Sequence, residues 1–398
     1  MANFTRKIFK NGITLIFEKR NLPVVTIIFA VKNGTINEDS HEKGISHFIE
    51  HMLYKGTKKR TSLRIAEDIE KNGGILNGFT NETSVAVWCK VPSEHIMKGL
   101  DVLSDMVKNS VFDENEFRKE RKVIIEELKM RKDNPHIYAL DKSCTCLYEK
   151  PFGKNDDEKT MNSITRKKLI GRFTEVFQPE NLILCVVGKA DAKDVEKFVN
   201  ENFHKKMGKK RKFEIRKKNQ TKIEKRKGIE QASLVLSFHV PNSRNKKSYA
   251  AIVLNSLMAE GLSSRLFVEI REKRNLAYNI RGICDISRDF GNIMVYVGTK
   301  RENVKEVKKL ILKEFEKVSL ELTDDEIKSV KRKIIGNHKI SMEDSEEQAI
   351  NLLFYEIQGN ASEFYNFEKN IENVKLTDVK NLALGVSKSH SFFALVPS

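Results

Sequence analysis

Three apolar-rich runs open the chain, Phe4–Phe9, Thr14–Glu18 and Val24–Lys32. They predict strands, the first pair turned by Asn11-Gly12. Apolar positions then recur at helical spacing over 41–55, where Asp39 and Glu42 stand as a capping box. A second helix is expected from Ser62 to the glycine stop at Gly73-Gly74. From Ser84 to Val91 the pattern changes to period two, placing Val85, Val87, Cys89 and Val91 on one face of a strand. Amphipathic helices follow over 93–110 and 113–132, the latter ending before Pro135. Leu182–Val187 reads as an apolar strand and Ala192–Asn202 as a helix.

The second half repeats this order. Ala232–Val240 is a strand, Tyr249–Met258 and Ser263–Arg274 are helices, and Ala277–Ile286 with Asn292–Thr299 form a strand pair. Helices are expected over Asn303–Lys317 and Asp324–Lys339, and Ser391–Val396 is a last strand. Residues 113–125 align without a gap on 323–335, a shift of 210 that sets Glu116 on Glu326 and Ile124-Ile125 on Ile334-Ile335. Two ordinary helix starts could match so; with the parallel element order, the match points to duplication. Strands and helices without a strict βαβ rhythm predict an α+β fold with largely antiparallel sheets.

A chain of 398 residues, 39% hydrophobic and 32% charged, has room for two domains with separate cores and is too apolar to be disordered. No run reaches the roughly 20 apolar residues of a membrane helix, and the first residues lack a signal peptide's apolar segment. A cytoplasmic protein with no membrane contact is expected. The five cysteines, an odd and sparse set, read as reduced thiols.

The net charge of +17 raises the question of nucleic acid. From Lys205 to Gly228, 13 Lys/Arg stand against two Glu, so this stretch alone carries +11, with Phe213 its only aromatic residue. Nucleic-acid surfaces spread basic residues over a face and interleave stacking aromatics. The stretch (205–228) is therefore read as a solvated connection between a domain at 1–204 and a second at 229–398. Nucleic acid is not the expected partner.

Chemistry concentrates in His47-Phe-Ile-Glu50-His51. Residues four apart share a helix face, so both imidazoles can hold one metal, and Glu50 borders that face within reach of a metal-bound water. The order H-x-x-E-H is the inverzincin signature, although two surface histidines on a helix would look the same. Catalytic zinc commonly takes three protein ligands and keeps one position open. The stretch from Glu120 to Glu127 offers the third. Seven residues make almost two turns, so Glu120 and Glu127 project from nearly one side, with Glu126 about 100° away from Glu127. An acidic solvated helix face is the competing reading. His41 and the later histidines have no metal spacing.

The run Gly44-Ile-Ser-His-Phe-Ile-Glu-His-Met-Leu-Tyr-Lys-Gly-Thr57 resembles the zinc motif of the pitrilysin/insulinase peptidases, above all their bacterial branch similar to the mitochondrial processing peptidase. Glu127 and Glu120, 76 and 69 residues past His51, fall where that family has its third ligand and a further functional glutamate. Gly73-Gly-Ile-Leu-Asn-Gly-Phe-Thr80 resembles the family's G-G-x-x-N-A-x-T edge strand, with Gly78 for the usual alanine. Ser263–Tyr278 resembles S-S-R-L-F-x-E-I-R-E-K-x-G-L-A-Y, with Asn275 for glycine, and Glu230-Gln231 matches a short signature. The resemblance covers nearly the whole chain.

It implies two homologous α+β domains of mixed, largely antiparallel sheet under helices, the metallohydrolase fold of LuxS and the processing peptidases, closing as a clamshell. It implies one zinc per chain on His47, His51 and Glu127, with Glu50 as general base and Glu120 orienting a ligand. Tyr278 would donate to the developing oxyanion, Arg271 would bind substrate main chain, and Asn77, Gly78 and Phe79 would pair with an extended peptide. The shift of 210 sets Val330 and Asn337 opposite Glu120 and Glu127, and no second H-x-x-E-H follows, so the second domain would be metal-free. The expected function is zinc-dependent endoproteolysis of unfolded or presequence-like peptides by a homodimer. The alternatives are an idle subunit of a two-chain peptidase and a nucleic-acid-binding protein working through the basic stretch.

Overall fold

β-Branched and aromatic residues, which suit a pleated and buried surface, fill the central strands. The computed structural model describes residues 3–209 and 211–398; Met1 and Ala2 at the start, and Lys210 of the basic stretch, lie outside the described residues. The order begins β1 (Asn3–Ile8), β2 (Thr14–Lys19), β3 (Val24–Val31), α1 (Ile45–Leu53), α2 (Ser62–Glu70), β4 (Ile75–Thr80), β5 (Val85–Pro92) and α3 (Ile96–Asn109). It continues α4 (Glu114–Asp133), α5 (Pro135–Leu147), β6 (Tyr148–Lys150), α6 (Glu158–Ser163), α7 (Arg166–Val176), β7 (Leu182–Gly188) and α8 (Ala192–Asn202). Then come β8 (Arg216–Lys217), β9 (Thr221–Arg226), β10 (Ala232–His239), α9 (Ser248–Ala259), β11 (Ala277–Ile286) and β12 (Gly291–Thr299). The chain ends with α10 (Val304–Glu321), α11 (Asp324–Ser341), α12 (Ser345–Gln358), α13 (Phe367–Glu372), α14 (Leu376–Lys388) and β13 (Ser391–Pro397). Within the helix expected over 263–274, Phe267–Glu272 is a π-helical turn.

These elements form two units. The first holds residues up to Leu128, Asp156–Phe213 and Ser341–Phe364. Its sheet has the order β1-β2-β7-β3-β5-β4, parallel only between β2 and β7. One face, with Val25, Ile27, Phe29, Val85, Val87 and Cys89, packs against α1–α4, α7 and α8. The other, with Ile28, Ala86, Trp88 and Cys185, is covered by Ala349, Leu352 and Leu353 of α12. Buried polar contacts fix that helix: Gln348 donates to Glu18 at 2.7 Å, and Thr26 and Ser345 share a hydrogen bond of 2.9 Å.

The second unit holds Lys129–Asn155, Glu214–Ile340 and Tyr365–Ser398. Its sheet runs β11-β12-β10-β13-β9, parallel only between β13 and β9. α9, α10 and α14 cover one face, and α5 covers the other through Ala139 and Cys146 against Val235, Met294 and Phe393. Taken in chain order, β2, β3, β4, β5 and β7 occupy the same sheet positions, with the same strand directions, as β9 to β13. The fold is α+β and duplicated. α5 and α12, which start 210 residues apart, are the matching outer helices.

The contiguous ranges 1–204 and 229–398 read from the sequence thus differ from the units, because α5 and α12 each cover a sheet built mainly from the other half of the chain. The basic stretch is also more than a connection. β8 pairs with β6, and β9 is the parallel edge strand beside β13. Tyr138 donates to Glu224 at 2.8 Å, and the Arg226 guanidinium lies 4.2 Å from the Tyr138 ring centre. Lysine-rich composition hides this strand, whose side chains are mostly exposed. Among the described residues no helix is long and apolar enough to cross a membrane, and none of the five cysteines is in a disulfide.

Candidate metal centre

Helix α1 sorts its residues by face. Ile45, Phe48, Ile49, Met52 and Leu53 are buried in the core, at the i, i+3, i+4, i+7 spacing of an amphipathic helix. His47, Glu50 and His51 share the opposite side, and Tyr54 caps the helix on the same row. The helix starts at Ile45 rather than near His41, with Gly44 at a φ of 92°. The expected capping box of Asp39 and Glu42 does not form. Glu38 instead accepts hydrogen bonds from the amides of Gly44 (3.0 Å) and Ser46 (2.8 Å), while Glu42 is held by Arg172 and Arg211. Burial pushes the Glu38 carboxyl above its ordinary value, against the pull of those two amides.

Helix α4 crosses to α1 through stacked rings, Phe48 and Phe117, 4.8 Å apart. Phe117, Glu120, Ile124 and Glu127 follow one side of α4, and the first three are buried. Glu120 and Glu127 therefore reach α1 together, whereas Glu126 is exposed. His47 Nε2 and His51 Nε2 lie 3.1 Å apart. Glu127 Oε2 stands 3.6 Å from the first and 3.5 Å from the second. Tetrahedral zinc with bonds of about 2.0–2.1 Å sets neighbouring donors about 3.3 Å apart. The three atoms fit that geometry, and two nitrogens with a carboxylate oxygen are a donor set zinc accepts.

Glu120 settles which nitrogen of His51 faces the centre. Its Oε2 lies 3.0 Å from His51 Nδ1, and Lys55 Nζ lies 2.9 Å from its Oε1. With the His51 proton on Nδ1, the lone pair of Nε2 points to His47 and Glu127. Burial raises the Glu120 carboxyl, but the hydrogen bonds from His51 and Lys55 outweigh it and hold the group below its usual range. Burial disfavours a charged His51, yet the Glu120 bond and the charges of Glu127 and Glu50 leave its affinity for a proton raised. The same negative potential favours a divalent cation.

Glu50 lies beside the three donors. Its Oε2 accepts a hydrogen bond from the Thr80 hydroxyl at 3.1 Å. Burial raises its carboxyl above the ordinary value, and the charge of Glu127 adds to this, against the charge of His51 and the Thr80 bond. A carboxylate so placed can act as a proton acceptor beside the three donors. Thr80, Lys55 and Glu38 were given no role from the sequence; Thr80 acts through Glu50, Lys55 through Glu120, and Glu38 through the amides that open α1.

Asn77, Gly78 and Phe79 belong to β4, the outer strand of the first sheet, paired among the described residues only with β5. Asn77 is exposed and its Oδ1 accepts the Gly78 amide at 2.8 Å. Phe79 turns to the α12 face, its ring 6.0 Å from that of Phe354. Arg271 and Tyr278 lie in the second unit, on the π-helical turn and at the start of β11. The Arg271 guanidinium lies 4.9 Å from the Tyr278 ring centre, and Tyr278 is 75% exposed. Between them Asn275 has a φ of 52°, its amide donating to the Arg271 carbonyl at 2.8 Å. Glycine is the usual occupant of such a turn, and asparagine is among the few others that adopt it readily.

The chain is similar to known proteins along its length. A family model described as insulinase (peptidase family M16) matches residues 14–151, and that of the peptidase M16 inactive domain matches residues 163–334. An uncharacterized zinc protease of Rickettsia felis is 30% identical over 99% of this chain and 97% of its own. An uncharacterized zinc protease of Bacillus subtilis is also 30% identical, over 84% of this chain and 83% of its own. Among solved structures, a protease from Helicobacter pylori superposes over the whole of both chains with a TM-score of 0.92 at 22% identity, a likeness of fold.

Proposed function

The chain belongs to the insulinase family, peptidase family M16, and from that premise we propose that it is a zinc-dependent endopeptidase acting on unfolded or presequence-like peptides. The observation that carries this reading is the convergence of His47 Nε2, His51 Nε2 and Glu127 Oε2 at tetrahedral spacing beside Glu50. Zinc held by these three residues supplies a polarised substrate carbonyl and a more acidic water. Glu50, steadied by Thr80, takes the proton from the attacking water and passes it to the leaving amine. Glu120 keeps His51 in the tautomer that offers Nε2. The free edge of β4 at Asn77–Phe79 accepts an extended peptide by strand addition, which gives affinity with little sequence selectivity. On the resemblance of their motif, Tyr278 donates to the oxyanion and Arg271 grips substrate main chain.

An idle subunit would lack part of this set, and here every member of it is present. The reading is tested by metal analysis together with cleavage of an unstructured peptide library. About one zinc per chain and cleavage abolished by a chelator and restored by zinc are expected. Cleavage that persists in metal-stripped protein would sink it.

A further inference from the structure

Tyr54 stands seven residues after His47, on the row of α1 that carries Glu50 and His51. Its ring packs on the inner core of the first unit, while its hydroxyl is buried and makes no hydrogen bond. Phenylalanine would avoid that unmet bond. Room for the hydroxyl comes from Gly78. A Cβ at residue 78 would lie 2.4 Å from Tyr54 Oη, 2.7 Å from the Ala86 carbonyl oxygen and 3.1 Å from Glu50 Oε1. The phenol oxygen thus crowds the place of the side chain that this strand lacks, on the Oε1 side of Glu50. Thr80 holds the other oxygen, Oε2, and among the described residues no side chain donates to Oε1. A donor without an acceptor stands beside an acceptor without a donor. Burial, with the Glu50 charge adding to it, pushes the phenol well above its usual value, so it keeps its proton.

We infer that Tyr54 is a positioning residue for Glu50: its hydroxyl, housed by Gly78, donates to Oε1 as the carboxylate turns to the attacking water, so that Tyr54 and Thr80 hold the two oxygens. This rests on the peptidase reading of His47, Glu50, His51 and Glu127. The test compares the full-length wild type, Tyr54→Phe, Gly78→Ala and the double variant. For each, zinc content, kcat and KM on one peptide, and the thermal midpoint of the zinc-stripped protein are measured. Tyr54→Phe should keep zinc and KM and lower kcat roughly tenfold or more, the scale of one hydrogen bond to a charged group. Its midpoint should not fall, because an unmet hydroxyl is removed. Gly78→Ala should lower both kcat and the midpoint, and adding Tyr54→Phe should recover the midpoint.

A kcat for Tyr54→Phe within twofold of wild type overturns the proposal. So does a fall in its midpoint, which would make the hydroxyl a structural group. A double variant no more stable than Gly78→Ala would show that the Ala86 carbonyl is the obstruction, and the housing of the hydroxyl by Gly78 would be wrong. Failure of the underlying reading shows elsewhere, as wild-type protein without chelator-sensitive cleavage, while the midpoints still report on the Tyr54–Gly78 contact.

Discussion

Glu120 and His51 meet through Oε2 and Nδ1 at 3.0 Å, and Lys55 holds the second oxygen of the same carboxylate at 2.9 Å. Removing the carboxylate frees the His51 ring to rotate and leaves Lys55 beside the centre without its partner. Glu120→Ala should weaken zinc binding by about 10- to 100-fold, the usual scale for a group that orients a metal-binding histidine. Glu120→Gln, which keeps an oxygen for Nδ1–H, should lose less. Chelator competition reads both; equal affinity in Glu120→Ala and wild type would leave Glu120 without this role.

Zinc content separates the neighbouring glutamates. His47→Ala, His51→Ala and Glu127→Ala each take one donor from a three-donor set and should deplete the metal in purified protein. Glu126→Ala alters an exposed side chain on another side of α4 and should leave the metal in place. Atomic absorption on the four variants decides it, and the reverse pattern for Glu126 and Glu127 would refute the helix-face argument.

The centre was legible because its signals are local. His47, Glu50 and His51 lie within one helical turn or so, and the seven-residue interval from Glu120 to Glu127 is close to two turns. Partners brought by folding were not legible. The alternation over 84–91 predicted one buried face, Val85 to Val91, yet Ala86 and Trp88 are buried as well. The cause is α12, more than 250 residues further on, which no pattern within the strand reveals. The helix start failed for a related reason. Asp39 and Glu42 have capping-box spacing, but the Arg172 and Arg211 guanidinium groups claim Glu42 and leave the amides to Glu38. β9 was missed because an edge strand with exposed lysines carries little apolar pattern.

Glu50→Gln distinguishes binding from chemistry. Glutamine is isosteric, can still accept from Thr80 and leaves the metal ligands intact, but it cannot take a proton. Zinc content and KM should stay near wild type while kcat falls on the order of 10²-fold or more. A variant with normal turnover would remove Glu50 from the proton path.

Asn275 tests the departure from the family's glycine. With φ at 52°, Asn275→Gly should be close to neutral, because glycine adopts this conformation without steric strain. Asn275→Val, β-branched in the same conformation, should destabilise by roughly 1–2 kcal/mol. Denaturant unfolding of both variants reads the difference, and equal stabilities would mean that the turn relaxes.

Tyr278 and Arg271 carry the last prediction, and their exposure makes it a clean one. Tyr278 is 75% exposed, so Tyr278→Phe has little packing to lose and removes one hydroxyl. Stability and zinc content should not change. If the hydroxyl donates to the oxyanion, kcat should fall by roughly 10²-fold or more with KM little altered, since the bond strengthens only as charge develops. Arg271 should behave differently. Its guanidinium lies over the Tyr278 ring and donates to the Tyr278 carbonyl at 3.3 Å, so Arg271→Ala loosens the tyrosine and, on the proposed role, also removes a substrate contact. KM should rise at least as clearly as kcat falls. Arg271→Lys keeps the charge but not the flat surface that stacks on the ring, and should recover only part of the loss. Single-turnover and steady-state kinetics on one peptide separate the cases. A Tyr278→Phe variant with unchanged kcat would show that the oxyanion takes its hydrogen bond from elsewhere.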